Sequence, residues 1–239
     1  MTEKDREELL ERIIQIGPEI YQDPCTVVRR LTGYKYVVGE DLREVSTNSP
    51  PPRRVEERAE TIPIDECLGL YDHAKIEITI FEKGIEDASK LIKCKVDHLR
   101  EIVRLHEWSH AILHIGFTPN DALQALKDKN YRKRLMEQAN KTYLSIEPKL
   151  QEHLVQLLTY HSLKMLLREA QHDESKKAIG NRAKTFDRLC RYQPTDYRID
   201  RYRKVRLERI IESLRLLKNS WLVGKFEAWD IVVKGTSHK

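Results

Sequence analysis

The sequence contains few of the residues that interrupt regular secondary structure. It has 9 glycines and 9 prolines among 239 residues. This low content excludes collagen-like and low-complexity chains, which are rich in one or both residues. It predicts long runs of helix or strand. No repeat of fixed period is visible in the sequence.

Long apolar runs are also missing. No segment approaches the roughly 20 apolar residues that a membrane-spanning helix needs. The first residues, MTEKDREELLERI, are polar and acidic, unlike those of a secretory signal. The hydrophobic fraction is 40% and the charged fraction 34%, a balance typical of globular domains. We therefore expect a cytoplasmic protein without a membrane partner.

The cysteines are few and scattered. Cys25, Cys67, Cys94 and Cys190 lie far apart, and no C-x-x-C pair occurs. This spacing argues against a zinc ribbon and against a thioredoxin-type redox motif. We expect isolated, reduced thiols, as is usual for cytoplasmic proteins.

The hydrophobic pattern predicts a mostly helical α+β domain with a small sheet. Residues 75–81, KIEITIF, alternate isoleucine with polar residues, which is typical of a strand with one buried face. Short strands are also expected at 34–38 and 221–233. Helical spacing and helix-ending residues predict helices at 3–16, 85–93, 96–115, 122–140, 149–171 and 197–218.

One segment has the composition of a linker. Residues 46–54, STNSPPPRR, combine proline with small polar residues. We place a boundary there, between an N-terminal helical segment with this linker at 1–54 and the main domain at 55–239.

A short motif in the predicted helix 96–115 indicates metal chemistry. Residues 103–116, VRLHEWSHAILHIG, contain an H-E-x-x-H formed by His106, Glu107 and His110. Residues four apart share one helix face, so both imidazoles can reach one Zn²⁺ at about 2.0–2.1 Å. Glu107 can then take a proton from the zinc-bound water, which makes it the expected catalytic base. Chance would produce such a motif only about 0.03 times in a chain of this composition.

A third protein ligand is expected, because catalytic zinc usually has three. His114 continues the four-residue spacing, but a straight helix separates it from His106 by about 12 Å. Glu152, on the predicted helix 149–171, is the better candidate, and Gln156 lies on the same face to orient it or a ligand. The remaining candidates are His153, His161, Glu147, Glu169 and Asp121.

Tyr160 is a second candidate catalytic residue. It continues the face that carries Glu152, Gln156 and Thr159, and this polar stripe is costly inside an apolar helix unless it lines a site. Its phenol would stabilise the oxyanion of a tetrahedral intermediate.

The stretch HEWSHAILHIG, followed some forty residues later by a glutamate on a helix, resembles the gluzincin clan of zinc peptidases. The pattern H-E-x-x-H-x-x-x-H also resembles ImmA/IrrE-type peptidases, which are intracellular and cleave regulatory proteins. The resemblance implies a zincin-like domain, His106, His110 and Glu152 as zinc ligands, and Glu107 as the base.

The positive charge of the chain is concentrated near its C-terminal end. Residues 182–218 contain 12 Lys/Arg against 5 Asp/Glu, and three tyrosines are interleaved with the arginines. Such a mixture suits weak nucleic-acid binding, with arginine on phosphate and tyrosine on bases. The alternative is a charged helix face whose tyrosines are anchored in the core.

These observations favour a zinc-dependent peptidase acting on a peptide or protein substrate that binds beside the strand at 75–81. The alternative function is a non-catalytic regulator or nucleic-acid-binding protein built on the same scaffold. The presence of Glu107 favours the enzyme, because a purely structural metal site needs no base.

Overall fold

The computed structural model describes residues 23–36, 42–50, 64, 67–170, 172–193, 199 and 203–218. The predicted helix at 3–16, the predicted strand at 221–233 and the end of the linker at 51–54 lie outside the described residues.

Helices account for 71% of the described residues, so the fold is a mostly helical α+β arrangement, as the sequence predicts. Among these residues, none of the helices combines the length and apolar content required to cross a membrane. The helices are α1 (Pro24–Thr32), α2 (Glu82–Leu91), α3 (Val96–Ile115), α4 (Pro119–Lys127), α5 (Lys129–Ser145), α6 (Pro148–Glu169), α7 (Asp173–Tyr192) and α8 (Leu207–Lys218).

Five short strands form two small sheets. They are β1 (Lys35–Tyr36), β2 (Arg43–Thr47), β3 (Gly69–Asp72), β4 (Glu77–Phe81) and β5 (Gly116–Phe117). One sheet has the order β2-β4-β3, with β2 parallel and β3 antiparallel to the central strand; the other pairs β1 with β5. Ile78 and Ile80 on β4 are fully buried, which confirms the strand with one apolar face predicted at 75–81.

The segments on the two sides of the predicted linker share one core. Strand β2 pairs with β4 along its whole length, and Val27 and Val28 of α1 belong to the same hydrophobic cluster as the residues of α3 and α6. The described part of segment 1–54 therefore packs as one unit with the residues that follow it. The four cysteines are free thiols.

Helix α3 lies at the centre of this core. It has the bounds that the sequence predicts and packs against α1, α6, α7 and the three-stranded sheet. The carboxylate of Glu44 on β2 fixes its orientation, accepting hydrogen bonds from Arg104 Nε at 2.5 Å and from Trp108 Nε1 at 2.6 Å. Glu101 binds Arg182 of α7 in the same way. The position of α3 is thus set by charged contacts as well as by apolar packing.

The C-terminal end of α3 is capped by a distant lysine. Lys218, the last residue of α8, donates hydrogen bonds from Nζ to the carbonyls of Ile112 at 3.1 Å, His114 at 3.5 Å and Gly116. Carbonyls in the last turn have no partner within the helix, and a cation there is favourable. Burial lowers the pKa of Lys218 to about 7. A side chain at Gly116 would place its Cβ 2.4 Å from the Ile112 carbonyl oxygen, so glycine is required where α3 ends.

The structure differs from the sequence predictions in three helical regions. The helix predicted at 122–140 is divided into α4 and α5 by Asp128, whose carboxylate accepts from the amides of Asn130 and Tyr131 and starts a new helix. Helix α7 was not predicted, because its buried face is sparse within a highly charged segment. In the region predicted as a helix at 197–218, the described helix begins at Leu207.

We expect Leu158→Ala to lower the free energy of unfolding by about 2–5 kcal/mol, because the side chain is fully buried where α6 packs into the core. The matched control is Leu126→Ala on α4, where the leucine is 77% exposed and the change should stay within about 0.5 kcal/mol. Urea unfolding measures both, and equal effects would contradict the packing described.

Candidate metal centre

Three of the predicted site residues meet at one point. The Nε2 atom of His106 lies 3.3 Å from Oε2 of Glu152, and Nε2 of His110 lies 3.5 Å from Oε1 of the same carboxylate. One ligand atom from each residue lies within 4.8 Å of the others, the only such group among the described residues. The structure therefore brings together the three predicted ligands.

Two packed helices create this geometry. His106 and His110 are one turn apart on α3, and their rings are 4.9 Å apart between centroids. Glu152 comes from the second turn of α6, whose leucines pack against α3 within the same core. Because the leucine side chains fix the distance between the helices, they also fix the distance from the carboxylate to the imidazoles.

The arrangement fits a divalent metal ion. Two ligand atoms at about 2.0–2.1 Å from a tetrahedral ion are about 3.3–3.4 Å apart, and each imidazole lies near this distance from one of the two oxygens of Glu152. Oε2 of Glu152 is buried and accepts no hydrogen bond from the described residues, which is costly for a carboxylate that binds nothing. These three residues can therefore hold a metal ion.

The charge state of Glu152 also suits a ligand. Burial raises the pKa of this carboxyl, but the neighbouring imidazoles of His110 and His106 outweigh that effect and hold the pKa well below its usual range. The group is therefore ionised, which is the form that binds a cation.

Glu107 lies beside the ligand group without belonging to it. It is 5% exposed and faces β3. A side chain at Gly69 of β3 would place its Cβ 2.7 Å from Cγ of Glu107, so glycine is required for the strand to pass this carboxylate. His106, Glu107 and Gly69 line a narrow recess of about 30 Å³, enough for about two water molecules.

Tyr143 of α5 forms a second layer behind the ligands. Its hydroxyl lies 3.2 Å from Nδ1 of His110, on the opposite side of the ring from Glu152. Burial, with further contributions from Tyr71, Glu152 and Glu107, raises its pKa, so the phenol stays neutral. Sequence analysis missed this residue. The sequence signal was weak, an aromatic residue four positions after Ala139 in a mostly polar helix.

His114 has a different environment from His106 and His110 on the same helix. Its Nε2 donates to Oδ1 of Asn140 at 2.6 Å, and its Nδ1 accepts from the hydroxyl of Tyr71 at 2.8 Å. Both ring nitrogens are therefore occupied by hydrogen bonds, and His114 lies outside the ligand group. Burial lowers its pKa to about 4, an effect that Lys218 and His73 strengthen and the hydrogen bond to Asn140 opposes.

Tyr160, expected to stabilise an oxyanion, is not in contact with the ligand group. It lies two turns beyond Glu152 on α6, about 12 Å along the helix. Its ring stacks on Phe186, with the cations of Lys164 and Arg203 over its face. Phe186 lines the recess, so Tyr160 reaches the site only through another side chain. Tyr143 is the phenol that the structure places next to a ligand.

The alternative ligands are engaged elsewhere or lie outside the ligand group. His161 donates to the Val205 carbonyl, Glu169 pairs with Arg30, and Asp121 accepts from Tyr131. Glu147 is the residue immediately before α6, and His153 is buried next to Glu152 without joining the ligand group.

Gln156, expected to orient Glu152 or a ligand, lines the recess instead. Its Nε2 donates to Oε1 of Gln193 at 3.1 Å, which connects α6 to the end of α7. The amide is 1% exposed, and its oxygen has no hydrogen-bond partner among the described residues. It therefore presents an acceptor at the wall of the recess.

Comparison of the chain with known protein families, with curated proteins and with solved structures finds no match. The site is therefore interpreted from its own geometry.

We expect Tyr143→Phe to weaken metal binding by about 10–100-fold, because it removes the hydroxyl that orients His110. The matched control is Tyr71→Phe, which removes the same group from His114, a histidine outside the ligand group. Competition with a chromophoric chelator measures both affinities. Equal losses in the two variants would show that the effect is structural and unrelated to ligand orientation.

We expect stability to fall as the pH is lowered through the range set by His114. With a pKa of about 4 in the fold and 6.5 when unfolded, the unfolded chain binds more protons between these values. The free energy of unfolding should therefore drop by about 2 kcal/mol when the pH is lowered from about 6.5 to about 4.5.

Urea unfolding of chelator-treated protein measures this dependence, and His114→Gln, which removes the titrating group, should flatten it. An unchanged slope in that variant would assign the pH dependence to other groups.

Proposed function

We propose that the protein is a zinc-dependent peptidase. The observation that carries this proposal is the convergence of His106, His110 and Glu152 with a buried glutamate, Glu107, adjacent in sequence to the first ligand. Two imidazoles and one carboxylate are a common donor set of catalytic zinc, and they leave a coordination position open.

A zinc ion held by these residues would supply a Lewis acid that polarises a substrate carbonyl and makes water more acidic. Glu107 would accept the proton of the attacking water and pass it to the leaving amine. Its burial beside the recess keeps the carboxylate out of bulk solvent and in one position. Tyr143 would accept the Nδ1–H of His110, which leaves Nε2 of that ring free to bind the ion.

The edge of β3 is the best-placed binding surface for a substrate. Strand β4, beside which the sequence predicted binding, has a partner on each side, so the described sheet has no free edge there. The amide of Phe81 donates to the Leu68 carbonyl, so the backbone groups of the alternate residues Gly69 and Tyr71 point away from β4. An extended peptide would add to this edge next to Glu107.

The recess beside the edge would select the substrate residue nearest to the cleaved bond. Its wall is formed by Leu68, Ile102, Val103, Phe186 and Leu189 in addition to the site residues, and its volume is about 30 Å³. This narrow space favours a small side chain.

The alternative function is a regulator that binds metal without catalysis. It would retain the three ligands, but nothing in such a protein would require a buried carboxylate in the position of Glu107. The peptidase is therefore the better account of the site, and the two are separated by measuring turnover.

We expect Glu107→Gln to retain the metal and the fold while lowering the rate of peptide hydrolysis by about 10²–10⁴-fold, because an amide cannot take up the proton. The matched control is Asp97→Asn in the first turn of the same helix, where the carboxylate is 79% exposed and pairs with Arg100. Metal content would be measured by elemental analysis, and cleavage of an unstructured protein mixture by mass spectrometry.

Two results would contradict the proposal. Equal, metal-dependent cleavage by wild type and Glu107→Gln would remove Glu107 from the mechanism. Full metal occupancy without any cleavage by the wild type would favour the regulator. A His106→Ala, His110→Ala variant identifies cleavage by a contaminating peptidase, because it should have neither metal nor activity.

A further inference from the structure

A second cleft lies on the other half of α6. It has a volume of about 680 Å³ and is bounded by α1, by the C-terminal half of α6 and by residues 203–208. Its lining contains two carboxylates, Glu169 and Glu208, and six permanent cations. The cations are Arg30, Lys164, Arg168, Arg203, Lys204 and Arg206.

Half of these cations are paired. Arg30 binds Glu169 at 2.7 Å, Arg206 lies 3.6 Å from Glu208, and Arg203 binds Asp187 at 2.8 Å. Lys164, Arg168 and Lys204 have no carboxylate partner among the residues that the structure describes. The cleft therefore keeps an excess of three positive charges.

The cleft combines this charge with an apolar floor. Leu31, Met165, Val205 and Leu207 contribute apolar surface to the lining. His161, at the base, donates to the Val205 carbonyl at 3.1 Å, and burial together with Lys164 and Arg168 lowers its pKa.

Several cations of the basic segment predicted to bind nucleic acid have other roles. Arg182 binds Glu101, Arg188 donates to the Lys93 carbonyl, and Lys218 caps α3. Of the described residues in 182–218, the cations of the 203–206 turn belong to the cleft, where they meet cations of α1 and α6. The cations without a carboxylate partner among the described residues therefore come from two separate elements, α6 and the 203–206 turn.

We propose that this cleft binds single-stranded nucleic acid. Phosphates spaced along a flexible strand match cations spread over α6 and the 203–206 turn, and the apolar part of the lining suits the faces of unstacked bases. We expect a flexible single strand to follow this surface better than a rigid duplex, whose phosphates are fixed in position. The cleft is separate from the metal centre, since Lys164 lies 12 residues beyond Glu152 on α6, about 18 Å along the helix.

The test uses the full chain and fluorescein-labelled oligothymidylate and oligouridylate of about 12 nucleotides. Anisotropy titrations at about 50 and about 200 mM salt give the affinity and its salt dependence. Lys164→Gln, Arg168→Gln and Lys204→Gln are combined in one variant. Each lost phosphate contact on a single strand reduces the salt slope by about 0.7, so the slope should fall by about 2 and the affinity at least about tenfold.

The matched control combines Lys83→Gln, Lys127→Gln and Lys133→Gln, which removes the same charge from exposed positions on α2, α4 and α5. It should bind like the wild type, and circular dichroism confirms that both variants fold.

No binding by the wild type at low salt, or equal losses in the two variants, would overturn the proposal. Equal affinity for a duplex of the same length would overturn the preference for a single strand. Chelation of metal should leave binding unchanged.

Discussion

The contact between one carboxylate and two imidazoles depends on the packing of α6 against α3. Glu152 is ionised in a buried position, where an isolated charge would destabilise the fold. Leu150, Leu154, Leu157 and Leu158 are buried along the same helix and supply the apolar contacts that keep it in place. The energy for holding the polar group thus comes from the leucines around it.

Helix geometry explains why three histidines of one helix have two different roles. His106 and His110 are one turn apart and face the same carboxylate, whereas His114 is a further turn away and binds Tyr71 and Asn140. The helix continues without a break to Ile115, so His114 lies about 12 Å from His106 along the axis and cannot share one ion with it. Nδ1 of each ring contacts a tyrosine hydroxyl, that of Tyr143 for His110 and that of Tyr71 for His114. The ligand role therefore depends on what faces Nε2, which is Glu152 for His110 and Asn140 for His114.

Local patterns in the sequence were sufficient to predict α3, β4, the mostly helical fold and the three residues that can hold a metal. The helix, the strand and the two histidines follow from spacing within one element, whereas Glu152 was selected among several candidates by its resemblance to the gluzincin pattern. Gly69, Tyr143 and Lys218 could not be predicted in this way, because their roles arise from contacts between distant segments. The hydroxyl of Tyr143 meets a ring 33 residues earlier, and nothing in the polar sequence of α5 indicates which ring that is. Tyr160 was selected from the face of its helix alone, without knowledge of its neighbours.

The cap on α3 has a consequence for the order in which the molecule forms during synthesis. Lys218 is 106 residues beyond Ile112, whose carbonyl it binds. At about 5–20 residues per second, a ribosome needs about 5–20 s to make that stretch. Throughout this interval the nascent helix already carries both histidines and Glu107, but the carbonyls of its last turn lack their cation. The end of the helix that carries the histidines is therefore completed late, after nearly all of the other described elements have been made.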